Sequence, residues 1–354
     1  MTFAIGSRVI GPKEPPFVIA EAGVNHNGDF DLAVRLIDAA LEAGADAVKF
    51  QTFDAQSLAT AQAERAVYQR SAGDESSQLA MLESIQLPDD RWPDLARHAA
   101  DRGIIFLSTP FDEPSVALLA ELNLAAMKVG SGDLTNALLL RAVGRLGIPV
   151  ILSTGMGTIG EVDDAVGELR DAGAPSIALL HCASIYPAAI DDVNLRAIDT
   201  LRAHFEIPVG FSDHTEGGLA SPLAVARGAM IIEKHLTLDR SLPGPDHASS
   251  LELVTFSRLV TDIRDAWRAL GDGQKRPRPG EQEIMRVARR SLVARRALPA
   301  GHLVEPDDLD AKRPGTGISP MRVDAVVGRR LAVGVGRDHL LQPADLDPPL
   351  DSPA

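Results

Sequence analysis

Residues 208–236 read PVGFSDHTEGGLASPLAVARGAMIIEKHL, and this stretch decides the fold class of the chain. One apolar run ends in Ser212 and His214, a helical segment follows, and a second apolar run ends in Glu233 and His235. Residues two apart in a β-strand point to the same face. Strands that alternate with helices form a parallel sheet, whose strand ends meet at one edge. The stretch therefore predicts a β–α–β unit with a histidine pair at that edge.

The same pattern recurs from residue 17 to residue 270, with a polar insertion between the second and third units. The predicted strands cover residues 17–22, 45–52, 104–109, 125–131, 149–155, 176–184, 208–215 and 230–236. Eight such units in about 250 residues match the size of a (β/α)8 TIM barrel of the α/β class. An open doubly wound sheet is the alternative, but EAGVNHNG at 21–28 lacks its G-x-G-x-x-G spacing. We therefore prefer the barrel.

Polar residues end all eight predicted strands. They are Glu21, Lys49, Gln51, Ser108, Thr109, Lys128, Ser131, Ser153, Thr154, His181, Ser212, His214, Glu233 and His235. A single such residue would be an ordinary solvated loop end. The C-terminal rim of a TIM barrel is where active sites are built, so contributions from all eight units predict a functional site there.

The composition changes after residue 270. Residues 271–287 are charged and rich in glycine and proline at their start, which is typical of a linker. Residues 288–354 contain short apolar runs separated by turns. We therefore predict a catalytic barrel over 1–270, a linker over 271–287 and a small second domain over 288–354.

Charge and cysteine content limit the function classes. The chain has 35 basic and 49 acidic residues, a net charge of −14, which disfavours nucleic acid or an anionic membrane as the main partner. Cys182 is the only cysteine, so no intrachain disulfide can form. The sequence begins without a signal-peptide pattern, and no apolar run reaches the roughly 18 residues of a membrane span. These features predict a cytoplasmic protein.

Lys49 and Lys128 end the second and fourth predicted strands and would face the same rim. Ammonium groups beside the hydroxyls of Ser131, Ser153 and Ser212 suit a phosphate or carboxylate ligand. Lys49 has two alternatives. It could be an ordinary strand-end lysine that keeps its ammonium group in water, or a lysine that forms a Schiff base with a substrate. Two lysines beside a candidate metal site favour anion binding.

His214 and His235 could hold one divalent metal, because imidazole is a common metal ligand and the pair lies on neighbouring strand ends. Either histidine alone would be an ordinary core or surface residue. Glu21 and Glu233 suit substrate hydroxyls or proton transfer. Asp246 and His247 lie on a proline-containing loop that could cover the mouth of the site. Together these groups suit carbon–carbon bond formation between a phosphorylated carboxylic acid and a sugar aldehyde.

Seven motifs resemble those of the sialic acid synthase family. In order, they are AEAGVNHNG, DAVKFQTF, MKVGSGD, ILSTGM, HCASIYPA, GFSDHT and IEKHLTLDRSLPGPDH. The later KRPGTGIS and VVGRRL resemble the antifreeze-like (β-clip type) domain of that family. The resemblance implies condensation of phosphoenolpyruvate with an N-acylated hexosamine, N-acetylmannosamine in the type case, to a nine-carbon 2-keto sugar acid and phosphate. It also implies a domain-swapped homodimer in which the small domain covers the partner's site.

The resemblance assigns a role to each matching residue. Phosphoenolpyruvate would be bound by Lys49, Lys128, Ser131, Ser153, Ser184 and Ser212. Mn²⁺ or Mg²⁺ would be held by His214 and His235, and the sugar aldehyde would come to this metal. The sugar would be met by Glu21, Gln51, Thr109, Tyr186, Glu233 and Asp246, and its N-acyl group by Arg313 across the dimer. The candidate catalytic acids are Glu21, Glu233 and Asp133.

Two positions depart from the family pattern. Asp133 stands where many members have the glutamate of GSGE, and Ser184 stands where sialic acid synthases commonly have asparagine. These changes predict an altered acceptor pocket, so the acceptor could be a modified hexosamine or another aldose. The alternatives in other classes are a metal-dependent barrel lyase acting on a keto sugar acid, and a non-catalytic carbohydrate-binding protein.

Overall fold

The structure is a computed structural model that describes residues 3–65 and 77–351. The chain divides into two compact units, Met1–Gly271 and Asp272–Ala354. Within the described residues, no helix is both long and apolar enough to cross a membrane.

The first unit alternates strands and helices. Its strands are β1 (Phe3–Ile5), β2 (Arg8–Ile10), β3 (Phe17–Gly23), β4 (Ala47–Thr52), β5 (Ile105–Pro110), β6 (Met127–Val129), β7 (Val150–Ser153), β8 (Ile177–Cys182), β9 (Val209–Asp213), β10 (Ile231–Thr237) and β11 (Leu251–Glu252). Its helices are α1 (Phe30–Glu42), α2 (Ala55–Leu58), α3 (Gln78–Ile85), α4 (Trp92–Arg102), α5 (Glu113–Ala120), α6 (Ala137–Gly144), α7 (Ile159–Ala172), α8 (Ala197–Phe205), α9 (Ala220–Ala226) and α10 (Leu253–Leu270).

Strands β3 to β10 form one parallel sheet in the order β5-β4-β3-β10-β9-β8-β7-β6. Because β5 also lies beside β6, the sheet curls into a nearly closed barrel. The helices that link the strands bury one apolar face each against the outside of the sheet. This is the predicted (β/α)8 TIM barrel, and its eight strands are the eight runs expected from the sequence.

Local sequence signals set the helix ends. Helix α1 begins after Asp29, whose carboxylate accepts hydrogen bonds from the backbone N–H groups of Asp31 and Leu32. Helix α7 begins at a capping box formed by Thr158 and Glu161. These caps satisfy N–H groups that the first turn of a helix leaves without partners.

Alternate residues of each strand point into the barrel and form layers. The layer nearest the N-terminal ends is apolar, with Phe17, Ile19, Ala47, Leu107, Ala126, Ile151, Ala178, Leu180 and Ile231. Two positions further along the same strands come Glu21, Lys49, Thr109, Lys128, Ser153, Cys182 and Glu233. The period-2 geometry of strands therefore places a polar layer directly above an apolar one.

A short antiparallel hairpin, β1–β2, precedes the barrel and was not predicted. Phe3, Ile5 and Ile10 of this hairpin pack with the apolar interior layer and are nearly inaccessible to solvent. The hairpin therefore closes the N-terminal end of the barrel. Three-residue strands are too short to give a clear alternation in sequence.

The second unit has short strands and its own apolar core. Its elements are α11 (Gln282–Ala288), β12 (Ser291–Ala294), β13 (Leu309–Lys312), α12 (Val323–Val326), β14 (Arg330–Leu331) and β15 (Leu346–Asp347). β12 pairs antiparallel with β13, and β14 with β15. Helix α11 lies in the segment interpreted as a linker and buries none of its side chains.

Candidate active site

A cavity of about 520 Å³ opens at the C-terminal ends of the barrel strands. It is lined by every residue to which the resemblance assigned a role except Arg313. These residues are Glu21, Lys49, Gln51, Thr109, Lys128, Ser131, Asp133, Ser153, Ser184, Tyr186, Ser212, His214, Glu233, His235 and Asp246. The strand alternation described above brings residues that are up to 225 positions apart in the chain, Glu21 and Asp246, to one cavity.

Lys49 lies between two carboxylates on the floor of the cavity. Its Nζ is 2.8 Å from Oε2 of Glu21 and 3.7 Å from Oε2 of Glu233, and it donates to Oγ1 of Thr109 at 3.0 Å. Burial lowers the pKa of Lys49, but the two carboxylates outweigh burial and raise it. Lys49 is therefore held protonated, which disfavours the Schiff-base alternative because an imine needs the neutral amine.

Lys128 has a different set of partners. Its Nζ donates to Oγ of Ser153 at 2.6 Å and to the carbonyl oxygen of Val129 at 3.0 Å, while Oε1 of Glu233 is 4.0 Å away. Burial lowers the pKa of Lys128. Lys128 has no closer carboxylate among the described residues, so an anionic ligand would supply the missing negative charge.

Glu21 and Glu233 are buried carboxylates with opposite pKa shifts. Burial raises the pKa of Glu21, and the neighbouring charge of Glu233 raises it further against the effect of Lys49. Burial also raises the pKa of Glu233, but Lys128 and Lys49 outweigh it and lower the value to about 2. Carboxyl groups whose environments drive their pKa values apart are suited to separate acid and anion roles. Glu21 therefore takes up a proton more readily than Glu233, which stays ionised.

His214 and His235 lie together, with ring centroids 5.6 Å apart. Nδ1 of His214 is 2.9 Å from the carbonyl oxygen of Ala183, so Nδ1 carries a hydrogen, and Nε2 lies 3.4 Å from Oγ of Ser212. Burial, together with the charges of His214 and Lys49, lowers the pKa of His235 well below its usual range. His235 therefore offers a lone pair, as metal ligation requires. Burial lowers the pKa of His214, but interactions with Cys182 and Ala183 outweigh burial and raise it, so His214 would give up a proton on binding a metal.

These residues fit a metal as a partial ligand set. Nδ1 of His235 forms no hydrogen bond, and Oδ2 of Asp246 is 4.0 Å from it. A carbonyl that fixes the tautomer of His214 is the usual outer partner of a metal-bound histidine. Among residues 3–65 and 77–351, no group of three or more histidine, cysteine, aspartate or glutamate side chains forms a complete metal site. Two imidazoles would therefore leave positions for water and substrate oxygen atoms.

The residues nominated for the sugar lie around the same cavity. Nε2 of Gln51 donates to Oε1 of Glu21 at 3.1 Å. The Tyr186 ring lies on His214, with centroids 4.1 Å apart. Burial and the charge of Glu21 raise the pKa of Asp246 to about 6. The cavity therefore has hydrogen-bonding groups on the side where β3, β4 and β10 meet.

Asp133 and Ser184, the two departures from the family pattern, both line the cavity. Oδ1 of Asp133 accepts a hydrogen bond from Nδ2 of Asn136 at 3.0 Å, and burial raises the pKa of Asp133. A side chain at Gly155 would place its Cβ 2.2 Å from Oγ of Ser184 and 2.8 Å from Oγ of Ser131. Glycine at 155 therefore allows the two serines to approach the backbone there.

Several strand-end residues do not reach this cavity. Ser108 bonds to Oγ1 of Thr52 at 2.7 Å, and Thr154 donates to the carbonyl oxygen of Leu180 at 3.0 Å. His181 lies 2.7 Å from the carbonyl oxygen of Val193. Position at a strand end does not specify the face, and these three side chains have the wrong parity.

Two further residues do not line the cavity: His247, which follows Asp246 on the loop after β10, and Arg313 of the second unit. His247 turns away from the mouth, with Nδ1 2.7 Å from Oγ1 of Thr237. Arg313 lies in the second unit, where its exposed side chain donates from Nε to the carbonyl oxygen of Ala288 at 3.1 Å.

The sequence reading missed Cys182 as a cavity residue. Its Sγ lies 3.6 Å from Nδ1 of His214. Burial raises the pKa of Cys182, but its interactions with His214 and Ser184 outweigh burial and lower it. The signal was present, because Cys182 lies two positions after the apolar Leu180 on the same strand face.

The reading also missed an apolar wall of the cavity. This wall is formed by Val24, Phe53, Leu58, Met81, Leu82, Ile85 and Phe111. Most of these residues come from the insertion after β4, which looked merely polar in sequence. An apolar face two helical turns long is too short to stand out by periodicity.

A buried network lies on the opposite face of β9 and β10. Lys234 pairs with Asp213 across the two strands, with Nζ 3.1 Å from Oδ1, and also donates to the carbonyl oxygen of Thr215. Asp213 in turn accepts from Oγ1 of Thr215 at 2.7 Å and from Oγ of Ser221 at 2.6 Å. The network ties the turn that follows His214 to both strands.

Comparison with known proteins gives two matches to family models. A model of the NeuB family matches residues 36–275, and a model of the SAF domain matches residues 289–347. The chain is 45% identical over 335 residues to an N,N'-diacetyllegionaminic acid synthase of Legionella pneumophila subsp. pneumophila, covering 93% of this chain and 94% of that protein.

More distant relatives agree with these matches. N-acetylneuraminate-9-phosphate synthase of Homo sapiens is 34% identical over 342 residues, covering 94% of this chain and 93% of that protein. The crystal structure of N-acetylneuraminic acid (sialic acid) synthetase from Leptospira borgpetersenii serovar Hardjo-bovis, solved with citrate, has a TM-score of 0.72 and 36% identity. It covers 80% of this chain and 95% of that one.

Proposed function

This chain belongs to the NeuB family, and we propose that it condenses phosphoenolpyruvate with an N-acyl hexosamine aldehyde to a nine-carbon 2-keto sugar acid and phosphate. The predicted resemblance to sialic acid synthases is confirmed, as is the TIM barrel with a C-terminal SAF, or antifreeze-like, domain. The chain is thus a sialic acid synthase-type transferase that joins phosphoenolpyruvate to a sugar. The N-acyl hexosamine is the finer part of the proposal.

One observation carries this proposal: two buried lysines and four serine hydroxyls line the same cavity as a histidine pair. Lys128 is held by Ser153, has Glu233 as its nearest carboxylate at 4.0 Å, and would take the phosphate or carboxylate of phosphoenolpyruvate. Ser131, Ser184 and Ser212 would add neutral hydrogen bonds to its oxygen atoms. Burial strengthens these interactions because little water competes with them.

The protons of the reaction can be assigned to groups in the cavity. Carbon 3 of phosphoenolpyruvate forms a bond to the aldehyde carbon, and the aldehyde oxygen takes up a proton. Glu21, whose pKa is raised by burial, can supply that proton. Water then adds at carbon 2 and returns one proton to Glu21. The tetrahedral intermediate forms the keto group by C–O cleavage, and its hydroxyl proton leaves with the phosphate. Glu233 and Lys49 would hold reactants through charge and hydrogen bonds, because both stay ionised.

We propose that His214 and His235 hold Mn²⁺ or Mg²⁺. When bound, such an ion polarises a carbonyl oxygen or lowers the pKa of a water molecule. The support is the position of both rings in the lining of one cavity and the neutral ring of His235.

The remaining proposals concern the acceptor and the assembly. The sugar hydroxyls would be bound by Gln51, Tyr186 and Asp246. Thr109 would also contact the sugar, and Asp133 would be a catalytic acid beside it. Arg313 would reach the N-acyl group from the partner subunit of a domain-swapped homodimer, since its side chain is exposed on the second unit. We also propose that the enzyme works in the cytoplasm, where phosphoenolpyruvate is available.

The test is inorganic phosphate release from phosphoenolpyruvate with Mn²⁺, screened over N-acetylmannosamine, its derivatives and plain aldoses. We expect release that depends on both acceptor and metal, and its loss in His235→Ala but not in His98→Ala, a control on α4 outside the cavity. Calorimetry should show weaker Mn²⁺ binding by His235→Ala. Phosphate release by His235→Ala at the wild-type rate would overturn the metal assignment. Cleavage of a keto sugar acid by the wild-type enzyme without release of phosphate would favour the lyase alternative.

A further inference from the structure

The loop between β10 and β11, residues 238–250, brings Asp246 to the cavity and is called the Asp246 loop below. Oδ2 of Asp246 lies 4.0 Å from Nδ1 of His235, and a Cβ at Gly23 would lie 3.5 Å from the same oxygen. Within the part of the chain that the structure describes, no group donates a hydrogen bond to this carboxylate. Its position is therefore set by the backbone of its loop.

Asn25, on the turn after β3, joins the two ends of the Asp246 loop. Its Nδ2 donates to the carbonyl oxygen of Leu236 at 2.9 Å and to Oγ of Ser250 at 2.9 Å. Oγ of Ser250 in turn donates to the carbonyl oxygen of Asp246 at 2.7 Å. Asn25 and Ser250 are both at most 2% exposed, so little water competes for these hydrogen bonds. Asn25 is thus linked to the backbone of Asp246 through one hydroxyl group.

Asn27 holds the middle of the same loop through both atoms of its amide group. Its Nδ2 donates to the carbonyl oxygen of Pro243 at 2.7 Å, and its Oδ1 accepts from Nε2 of His247 at 3.3 Å. Burial lowers the pKa of His247, so the ring is neutral near pH 7 and carries its one hydrogen on Nε2. Nδ1 of His247 then accepts from the hydroxyl of Thr237, 2.7 Å away. A row of hydrogen bonds therefore runs from the end of β10 to Pro243 by way of Asn27.

The two loops meet at a close approach that a glycine permits. Gly244 has a φ of +145°, and a Cβ there would lie 2.6 Å from Oδ1 of Asn27 and 2.8 Å from Cδ2 of His247. Asn27 itself has a φ of 51°, in the left-handed region that asparagine adopts more readily than most residues with a side chain. Both backbones therefore adopt uncommon conformations where the loops meet.

We infer that Asn25 and Asn27 are positioning residues for the condensation, because they fix the Asp246 loop to the turn after β3 and so fix the carboxylate of Asp246 in the cavity. This inference rests on the proposed function, in which Asp246 binds a sugar hydroxyl. Neither asparagine lines the cavity, so the effect of either one on the substrate passes through the loop. A side chain that only stabilised the barrel would affect the reaction of both substrates alike.

The experiment is a double-variant cycle with Asn27→Gly and Asp246→Ala. Glycine keeps the left-handed backbone at position 27 and removes only the amide group. The assay is phosphate release with the most active of N-acetylmannosamine, its derivatives and plain aldoses. Asn27→Gly should lower kcat/KM for this acceptor roughly tenfold to a hundredfold, because misplacement of a binding group by about 1 Å has an effect of that order. The KM for phosphoenolpyruvate should stay unchanged.

The second variant separates positioning from general damage. In the Asp246→Ala background, Asn27→Gly should lower kcat/KM for the acceptor by less than about twofold, because the group that it positions is gone. A loss in that background as large as in the wild type would overturn the inference. Asn123→Gly is the matched control, because Asn123 also has a positive φ, of 52°, and lies outside the cavity. It should leave both kinetic constants unchanged.

Backbone hydrogen–deuterium exchange tests the hold on the loop without reference to activity. Residues 238–250 should exchange faster in Asn27→Gly and in Asn25→Ser than in the wild type and in Asn123→Gly, since the loop loses hydrogen bonds. Unchanged exchange in both variants would overturn the inference, whether or not the enzyme releases phosphate. Faster exchange in a protein that releases no phosphate with any acceptor would overturn the proposed function and leave the hold on the loop supported.

Discussion

The two cavity lysines differ in what neutralises their charge. Lys49 is balanced by Glu21 and Glu233, whereas Lys128 is held mainly by a hydroxyl and a carbonyl oxygen. A residue with unbalanced charge gains most when an anion arrives, so Lys128 should contribute chiefly to ligand binding.

We therefore expect Lys128→Met to raise the KM for phosphoenolpyruvate roughly tenfold to a hundredfold, the effect of losing one or two charge-assisted hydrogen bonds. Steady-state kinetics and calorimetry of phosphoenolpyruvate binding both measure this change. Lys275→Met, on the exposed start of the second unit, is the control and should behave as wild type. An unchanged KM in Lys128→Met would show that Lys128 does not bind the anion.

His26 gives a pH prediction outside the reaction itself. Burial lowers its pKa to about 4, and its Nδ1 accepts a hydrogen bond from the N–H of Gly28 at 3.0 Å. The unfolded pKa is about 6.5, so the folded state binds fewer protons between these values. Stability is complete above about pH 6.5 and is lost as the pH falls toward 4.

Between pH 7.5 and pH 5 the contribution of His26 should fall by about 2 kcal/mol. Urea unfolding followed by tryptophan fluorescence measures this loss, since Trp92 and Trp267 both lie in the barrel unit. His26→Gln should make the unfolding free energy less sensitive to pH, whereas His98→Gln should not. A pH dependence identical to wild type in His26→Gln would contradict the assignment.

At the scale of single residues, the sequence predicted the cavity residues that follow a repeated strand pattern. It missed cavity residues that lie outside any such pattern. His214 and His235 each follow an apolar run at a two-residue spacing, which strand geometry converts into a pair. Leu58 has no such partner in sequence. Its neighbours in space come from other strands and from the rest of the insertion, and only the folded chain shows them.

The strands β9 and β10 carry two polar sets on opposite faces. Ser212, Glu233 and His235 face the cavity, while Asp213 and Lys234 pair between the sheet and the helices. Both members of this ion pair are at most 1% exposed. Removing one charge leaves the other buried without compensation.

Lys234→Met should therefore destabilise the barrel by about 3–5 kcal/mol in urea unfolding. Asp213→Asn combined with Lys234→Met should cost less than the sum of the single variants, because the double variant leaves no lone charge. Arg141→Met, which breaks the exposed ion pair with Glu168, is the control and should change stability much less. Strict additivity would contradict the coupling.

The sequence predicted correctly whether a segment is a helix or a strand where the segment is long or belongs to a repeated pattern. The eight barrel strands alternate with helices, and that alternation is a strong signal. The hairpin β1–β2 and the helices α2 and α3 are short, so their periodicity is weak and tertiary contacts decide them. The faces of Ser108, Thr154 and His181 were wrong because strand ends alone do not fix parity.

Each of the two units has its own apolar core, which is the condition for independent folding. Activity poses a separate question, because the proposed role of Arg313 places a residue of the second unit at a barrel site of the partner. Residues far apart in one chain could then affect the same substrate.

We expect Arg313→Ala to raise the KM for the acceptor at least tenfold and that for phosphoenolpyruvate little, because a guanidinium would contact the N-acyl group only. Steady-state kinetics with each substrate varied in turn measures both. Arg337→Ala, another exposed arginine of the second unit, should leave both unchanged. Equal increases for the two substrates would count against a role confined to the acceptor.

The layered interior of the barrel also restricts how this gene can change. Insertion or deletion of one codon within β10 would exchange inward and outward positions, so that Lys234 would replace Glu233 or His235 at the cavity. The same holds for every strand that carries a cavity residue. Descendants of this sequence can vary strand residues by substitution, but changes in length are confined to loops such as the one between α10 and α11.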